Sequence, residues 1–206
     1  MIEQARGVEA IEIATNPYLQ EFAEATSDPG SFFAYEARDI LVHRYAWAIL
    51  NDEALETLSA LGPLVEVGAG SGYWAAVLLA RGTEVLPTDK FPPHLGHNPY
   101  RHEREWTDVT AGDAAEVAGL YPERTLLLSW PPYEEDMAER ALAAFESAGG
   151  TLFAYVGEGR NGCNATDEFF DRLESGWMLE KLVQLPQWFG IHDRLTIYRR
   201  KGESDA

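Results

Sequence analysis

An apolar run that breaks into glycines constrains this chain more than any other feature. Leu64-Val65-Glu66-Val67 is apolar apart from one glutamate, and Gly68-Ala69-Gly70-Ser71-Gly72 follows it directly. Residues 73–81, YWAAVLLAR, then carry a helical pattern that closes on Gly82, a residue suited to the left-handed position after a helix. A strand that turns this abruptly into a helix belongs to strand–helix–strand units. Their crossovers are right-handed, and their sheets are mainly parallel and covered on both faces. Glycines at such a turn let the backbone bend tightly and let a ligand approach the main chain.

The rest of the chain repeats the alternation. Residues 83–89 and 125–130 read as strands, 134–147 as a helix, 151–156 as a strand, and 166–175 as a helix with Thr166 as its N-cap. Residues 177–185 and 193–200 are two closing strands with no helix between them, which implies an antiparallel ending. Pro87 lacks a ladder donor, so the second strand is expected to bulge or leave the sheet there. A third strand is poorly defined. Before residue 62 the pattern is helical. Phe33, Ala37, Ile40, Leu41, Tyr45 and Ala48 recur at helical spacing and suggest a helix over 32–50. A second helix over 52–61 starts after Asn51 and stops at Gly62-Pro63. The expected fold is α/β: a three-layer αβα sandwich with a Rossmann-like, seven-stranded, mostly parallel sheet. A helical N-terminal cap (1–62) precedes a ligand-binding unit (63–206), the two forming one compact body.

Charge limits the partners. Sixteen Lys and Arg against 34 Asp and Glu leave a net charge of −18. Nucleic-acid affinity comes largely from cations neutralising phosphates, so nucleic acid is disfavoured, and acidic lipid surfaces likewise. No apolar run approaches the roughly 20 residues that span a bilayer. The N-terminal residues are acidic and lack the apolar core of a signal peptide. Cys163 stands alone, so no intrachain disulfide forms. A cytoplasmic setting is expected. The oligomeric state is left open.

The spacing of the glycines bears on the ligand. A dinucleotide site uses G-x-G-x-x-G, but the third glycine position here is Tyr73. The pattern is G-x-G-x-G, preceded by Glu66. This segment resembles the first motif of the class I S-adenosylmethionine-dependent methyltransferases, in which an apolar pair, an acid and an apolar residue precede G-x-G-x-G. The resemblance implies that S-adenosylmethionine is the cofactor and S-adenosylhomocysteine the product. It implies cofactor contacts for Glu66, Gly68, Ala69, Gly70 and Gly72. It further implies that Asp89, 17 residues after Gly72, accepts the ribose hydroxyls, and that Asp113 takes the adenine amino group, with Asp108 as its competitor. A turn with no ligand, and a nicotinamide or flavin site, are the other readings of the glycines.

Ser129-Trp130-Pro131-Pro132-Tyr133 follows the fourth strand, where relatives place their acceptor motif. Members that methylate base amines carry Asp, Asn or Ser directly before Pro-Pro-Tyr. Trp130 stands there instead, and an indole donates but does not accept. Base N-methylation is therefore in doubt. Trp130 and Tyr133 are read as walls for a planar or cationic acceptor, with Trp130 also touching the cofactor. Together with EVGAGSGYWA, YVGEG and LPQWFGIHDRL, the motif resembles a subgroup of methyltransferase-like proteins over roughly residues 32–200.

Methyl transfer to an acceptor that must lose a proton needs a base. Glu158, between Gly157 and Gly159, His192 in the turn before the last strand, and Tyr133 are the candidate catalytic residues. Tyr35, on the N-terminal helix, is a candidate substrate contact under a lid. His94, His97 and His102 have no known zinc spacing, so no metal is expected, and they read as a mobile loop near the cofactor. The leading function is methyl transfer to a small-molecule oxygen or nitrogen. A catalytically silent S-adenosylmethionine sensor or subunit, a nucleic-acid base N-methyltransferase, and a dinucleotide-dependent oxidoreductase are the alternatives.

Overall fold

The computed structural model describes residues 12–27 and 33–202. Phe32 and the side chain of Tyr35 lie outside the described residues, and with them the lid contact expected of Tyr35. Helices α1 (Pro17–Ala25), α2 (Phe33–Arg44) and α3 (Asp52–Ala60) come first. Then follow β1 (Leu64–Val67), α4 (Tyr73–Ala80), β2 (Val85–Asp89), β3 (Thr110–Ala111), α5 (Ala114–Leu120), β4 (Thr125–Ser129) and α6 (Met137–Ser147). The chain closes with β5 (Leu152–Gly157), α7 (Asp167–Gly176), β6 (Trp177–Gln184) and β7 (Arg194–Arg200). Local signals explain several boundaries. The Asn51 side chain accepts from the Ala54 N–H at 3.0 Å to start α3, and Thr166 accepts from Phe169 N–H at 3.3 Å to start α7. Gly82 takes φ +86° after α4.

The sheet order is β3-β2-β1-β4-β5-β7-β6. Neighbours from β3 through β5 pair parallel, and β7 runs antiparallel to both β5 and β6. Alternate residues face opposite layers. Leu64, Leu127, Val156 and Ile197 pack against α1–α4, while Val65, Val67, Leu126 and Phe153 pack against α5, α6 and α7. The N-terminal helices thus share one core with the first face of the sheet. Many of the aromatic residues lie in that layer. The Tyr18, Tyr45, Tyr73, Trp74 and Trp106 rings pack against one another, and Tyr73 donates to Asn16 at 3.1 Å. Among the described residues, no helix is long and apolar enough to cross a membrane.

Three expectations need correction. The helix expected over 32–50 stops at Arg44. The carbonyls of His43 and Arg44 accept from Glu103 N–H (3.0 Å) and Trp106 Nε1 (2.7 Å), and that of Tyr45 accepts from the Ser71 hydroxyl. These tertiary donors take over the carbonyls that a further turn would have used. The helix expected from 134 starts at Met137, because Tyr133 bridges to Ala165 and Glu134 N–H bonds the Ala165 carbonyl at 3.0 Å. Pro87 makes no bulge. It keeps register with Glu66 inside β2, and β3 pairs only from Thr88 onward.

Candidate functional site

The strand order reverses between β1 and β4, and open α/β sheets bind ligands at the carboxyl ends of the strands beside such a point. A cavity opens there. Its floor is Glu66 and the Gly68–Ser71 turn. Asp89 and the loop residues Tyr100 and His102 form one side, the start of α5 and residues 135–140 another, and Ala46, Trp47 and Ser129–Pro132 the far end.

The turn is tight because its glycines sit where side chains are strained. Gly68, Gly70 and Gly72 have φ of +72°, +56° and +71°. A Cβ on Gly68 would lie 2.6 Å from Met137 Cε, and one on Gly70 would lie 2.6 Å from His102 Nε2. Gly72 does not line the cavity. A Cβ there would meet Val109 at 2.7 Å and Thr107 at 3.1 Å, so a glycine there lets the segment before β3 pack against the turn.

Two buried carboxyls share the floor. Asp89 accepts from Gly70 N–H at 2.8 Å through Oδ2 and from Phe91 N–H at 2.7 Å through Oδ1. Glu66 is only 1% exposed, and its Oε2 has no hydrogen-bond partner. Burial, helped by the Asp89 charge, pushes the Glu66 carboxyl up to about 8. Asp113 lines the cavity and also caps α5, accepting from Ala115 N–H at 3.0 Å and from Arg140 at 3.5 Å. Asp108 is exposed and outside the lining.

His102, read from the sequence as part of a mobile loop near the cofactor, turns inward over Gly70. It bonds the His43 backbone, its Nδ1 lacks a partner, and burial lowers its pKa below the usual histidine range. His94 pairs with Glu105 at 2.7 Å instead of joining it. Among the described residues, no His, Cys, Asp and Glu group is arranged to hold a metal.

Trp130 reaches the far end through an unusual backbone. Its φ is +52°, a strained value for a bulky residue. Its Nε1 donates to Asp193 Oδ1 at 2.8 Å, and its ring stacks on Trp47 at 5.2 Å and 17°. Asp193 is 2% exposed, and burial pushes its carboxyl up to about 7. The Pro131 carbonyl accepts from Asn164 Nδ2 at 3.2 Å and Ala165 N–H at 3.5 Å.

The three catalytic candidates lie off the cavity lining. Glu158 Oε2 accepts from Cys163 N–H at 2.8 Å, and its Oε1 accepts from His192 N–H at 2.9 Å. Burial alone would raise this carboxyl, but those backbone donors, with the Cys163 and His192 side chains, hold it below the usual range. Glu158 is therefore a fixed anion that joins two loops. The His192 ring is 3.3 Å from Glu158 Oε1 and mostly exposed. Tyr133 is exposed beside Glu134.

Sequence reasoning missed Trp47, His102, Met137 and Arg140 as cavity residues. Trp47 was hidden in an apparent helix, and His102 in an apparent loop. Met137 and Arg140 carried one usable signal, since they open the helix that follows the Ser129–Tyr133 segment.

No family model and no curated protein matches the chain. Solved structures do. One is magnesium protoporphyrin IX methyltransferase from Synechocystis PCC 6803 with bound S-adenosylmethionine, at 14% identity over 89% of this chain and 91% of that one, with a TM-score of 0.54. Another is the same enzyme with bound S-adenosylhomocysteine, at 13% identity over 89% and 94% of the two chains, with a TM-score of 0.54. At such identity the likeness is one of fold: this chain has a Rossmann-like fold shared with these methyltransferase structures.

Proposed function

We propose that this chain is an S-adenosylmethionine-dependent methyltransferase acting on an oxygen or nitrogen of a small molecule. The observation that carries the reading is Glu66, an almost fully buried carboxyl with an orphaned oxygen on the floor of a cavity beside a glycine turn. A buried acid without a donor is costly unless a ligand completes it. The residues present fit the cofactor. Gly68 and Gly70 leave the main chain open to close approach, Asp89 and Asp113 offer carboxylates along the same wall, and Glu66 suits a positively charged group.

S-adenosylmethionine in this cavity supplies a methyl group already activated by its sulfonium. The protein's part is then to orient and to keep water out. Ala69 and the glycines cradle, Asp89 holds hydroxyls, and Trp130 with Trp47 closes the acceptor end. Glu158, with both oxygens engaged, positions the Cys163 and His192 loops rather than taking a proton. Among the lining groups, His102 has a buried Nδ1 without a partner, and burial disfavours the charged form of its ring.

One observation favours the silent binder as a second reading: Glu158, His192 and Tyr133 are off the cavity lining. Base N-methylation is disfavoured. The Pro131 carbonyl that would receive an amine hydrogen is already bonded to Asn164, and the net charge of −18 repels nucleic acid. Incubation with S-adenosylmethionine carrying a labelled methyl group, against a panel of phenols and amines, tests the reading. Label in any product supports the enzyme. Cofactor binding with no labelled product from any member supports the silent binder.

A further inference from the structure

Trp47 and Trp130 come from distant parts of the chain, 83 residues apart in sequence, yet their rings stack at 5.2 Å on the cavity wall. Each is held from behind. Trp130 Nε1 donates to the buried Asp193 at 2.8 Å, and the Arg38 guanidinium lies over Trp47 at 5.8 Å. The arrangement is costly. Trp130 sits at φ +52°, a region that a bulky side chain avoids, and Asp193 is a buried carboxyl. Arg38 Nε is buried without a partner. An ordinary core contact between the N-terminal helices and the sheet needs none of these, as the neighbouring Leu55, Leu58 and Leu64 cluster shows. Strain of this kind, over-determined by its surroundings, marks functional positions.

Two polar groups at this end, the Pro131 carbonyl and the Trp130 indole N–H, point the same way. The Pro131 carbonyl is turned to Asn164, and the indole N–H of Trp130 is spent on Asp193. The wall therefore offers a ring face more than a hydrogen-bonding pattern. Among the described residues, Trp47 is the one ring stacked on Trp130. Flat aromatic molecules gain most from such a surface, by offset stacking and apolar burial, and saturated rings of the same size gain less.

We propose that the stacked Trp47–Trp130 pair is the platform for a planar aromatic acceptor, and that Asp193 is the positioning residue that fixes the Trp130 ring. The proposal rests on the methyltransferase reading for the word acceptor, but the platform itself can be tested without turnover. In the transfer, the carbon–sulfur bond of the sulfonium breaks with its electron pair left on sulfur. A bond forms from the acceptor oxygen or nitrogen to the methyl carbon, and the acceptor's proton goes to a base or to water.

The test uses the full chain and three readouts. The stacked indoles give an exciton couplet in circular dichroism. Affinity for 2-naphthol is compared with that for the saturated trans-2-decalol, and affinity for S-adenosylhomocysteine is followed alongside. Wild type is expected to bind 2-naphthol at least about fivefold more tightly than the decalol. Trp47→Leu and Trp130→Leu should remove the couplet and most of that preference, with S-adenosylhomocysteine affinity of the Trp47→Leu variant within about threefold of wild type. Asp193→Ala should weaken both the couplet and the preference. Asp193→Asn keeps an acceptor for the indole N–H and should restore them, which a merely structural role for Asp193 would not require. Equal affinity for the two alcohols in wild type overturns the platform, as does naphthol binding unchanged in both tryptophan variants. A couplet unchanged in Asp193→Ala overturns the positioning role. If S-adenosylhomocysteine fails to bind wild type while the naphthol preference holds, the methyltransferase reading falls and the aromatic site stands.

Discussion

Glu66 and Glu158 invite comparison because both are glutamates at the carboxyl ends of central strands, exposed by only 1% and 5%. Their surroundings differ in donors. Glu158 receives backbone N–H groups from Cys163 and His192 and stays below the usual carboxylate range. Glu66 has an orphaned oxygen beside the charged Asp89 and is pushed up to about 8. Burial costs both, so hydrogen-bond supply decides which one keeps its charge. The satisfied acid organises loops. The unsatisfied one faces a cavity.

The comparison can be broken at several points. The largest effect is expected for Glu158→Ala, which leaves the partly buried Cys163 and His192 N–H groups without their charged acceptor. It should cost about 3 kcal/mol and lower Tm by about 10 °C, and a thermal melt close to wild type would show that Glu158 does not join the loops. Next is Glu66→Gln, read as a pH dependence. In the folded chain Glu66 keeps its proton up to about 8, while the unfolded chain releases it near 4.5, so wild-type stability falls as pH rises between those values. The variant lacks this titration. Its Tm should gain on wild type steadily from pH 5 to pH 8, whereas parallel curves would place the proton elsewhere.

Gly70→Ala tests the cradle itself. With φ +56° and a Cβ 2.6 Å from His102, it should weaken S-adenosylhomocysteine binding about tenfold, measured by calorimetry, and unchanged binding would remove Gly70 from the ligand's path. Asp113→Asn should do least. It keeps the oxygen that caps α5, so stability should move by no more than about 0.5 kcal/mol, and cofactor affinity by about threefold or less. A large loss of affinity would make Asp113 a principal contact.

What was legible in the sequence follows from the same physics. Periodicity and turn chemistry are local, so β1, α4, α7 and the antiparallel ending were readable within a residue or two, and Asn51, Gly82 and Thr166 marked their helix ends. The floor of the cavity was readable because Glu66, Gly68 and Gly70 lie on one turn. The far end was not. Trp47 leaves a helical pattern only because Glu103, Trp106 and Ser71 capture the preceding carbonyls, and those partners are distant in sequence. Glu158 reads as a candidate base because its glycine neighbours suggest a constrained loop, and the N–H donors that hold its two oxygens, one from Cys163 and one from distant His192, are not visible in the local pattern. Pro87 looked disruptive because nothing local told that β3 begins to pair only at Thr88.

The most direct measurement is calorimetric titration of the purified protein with S-adenosylhomocysteine, with NADH as the control ligand. Micromolar binding of S-adenosylhomocysteine and none of NADH is the result this account predicts. Binding of NADH, or of neither ligand, would contradict it.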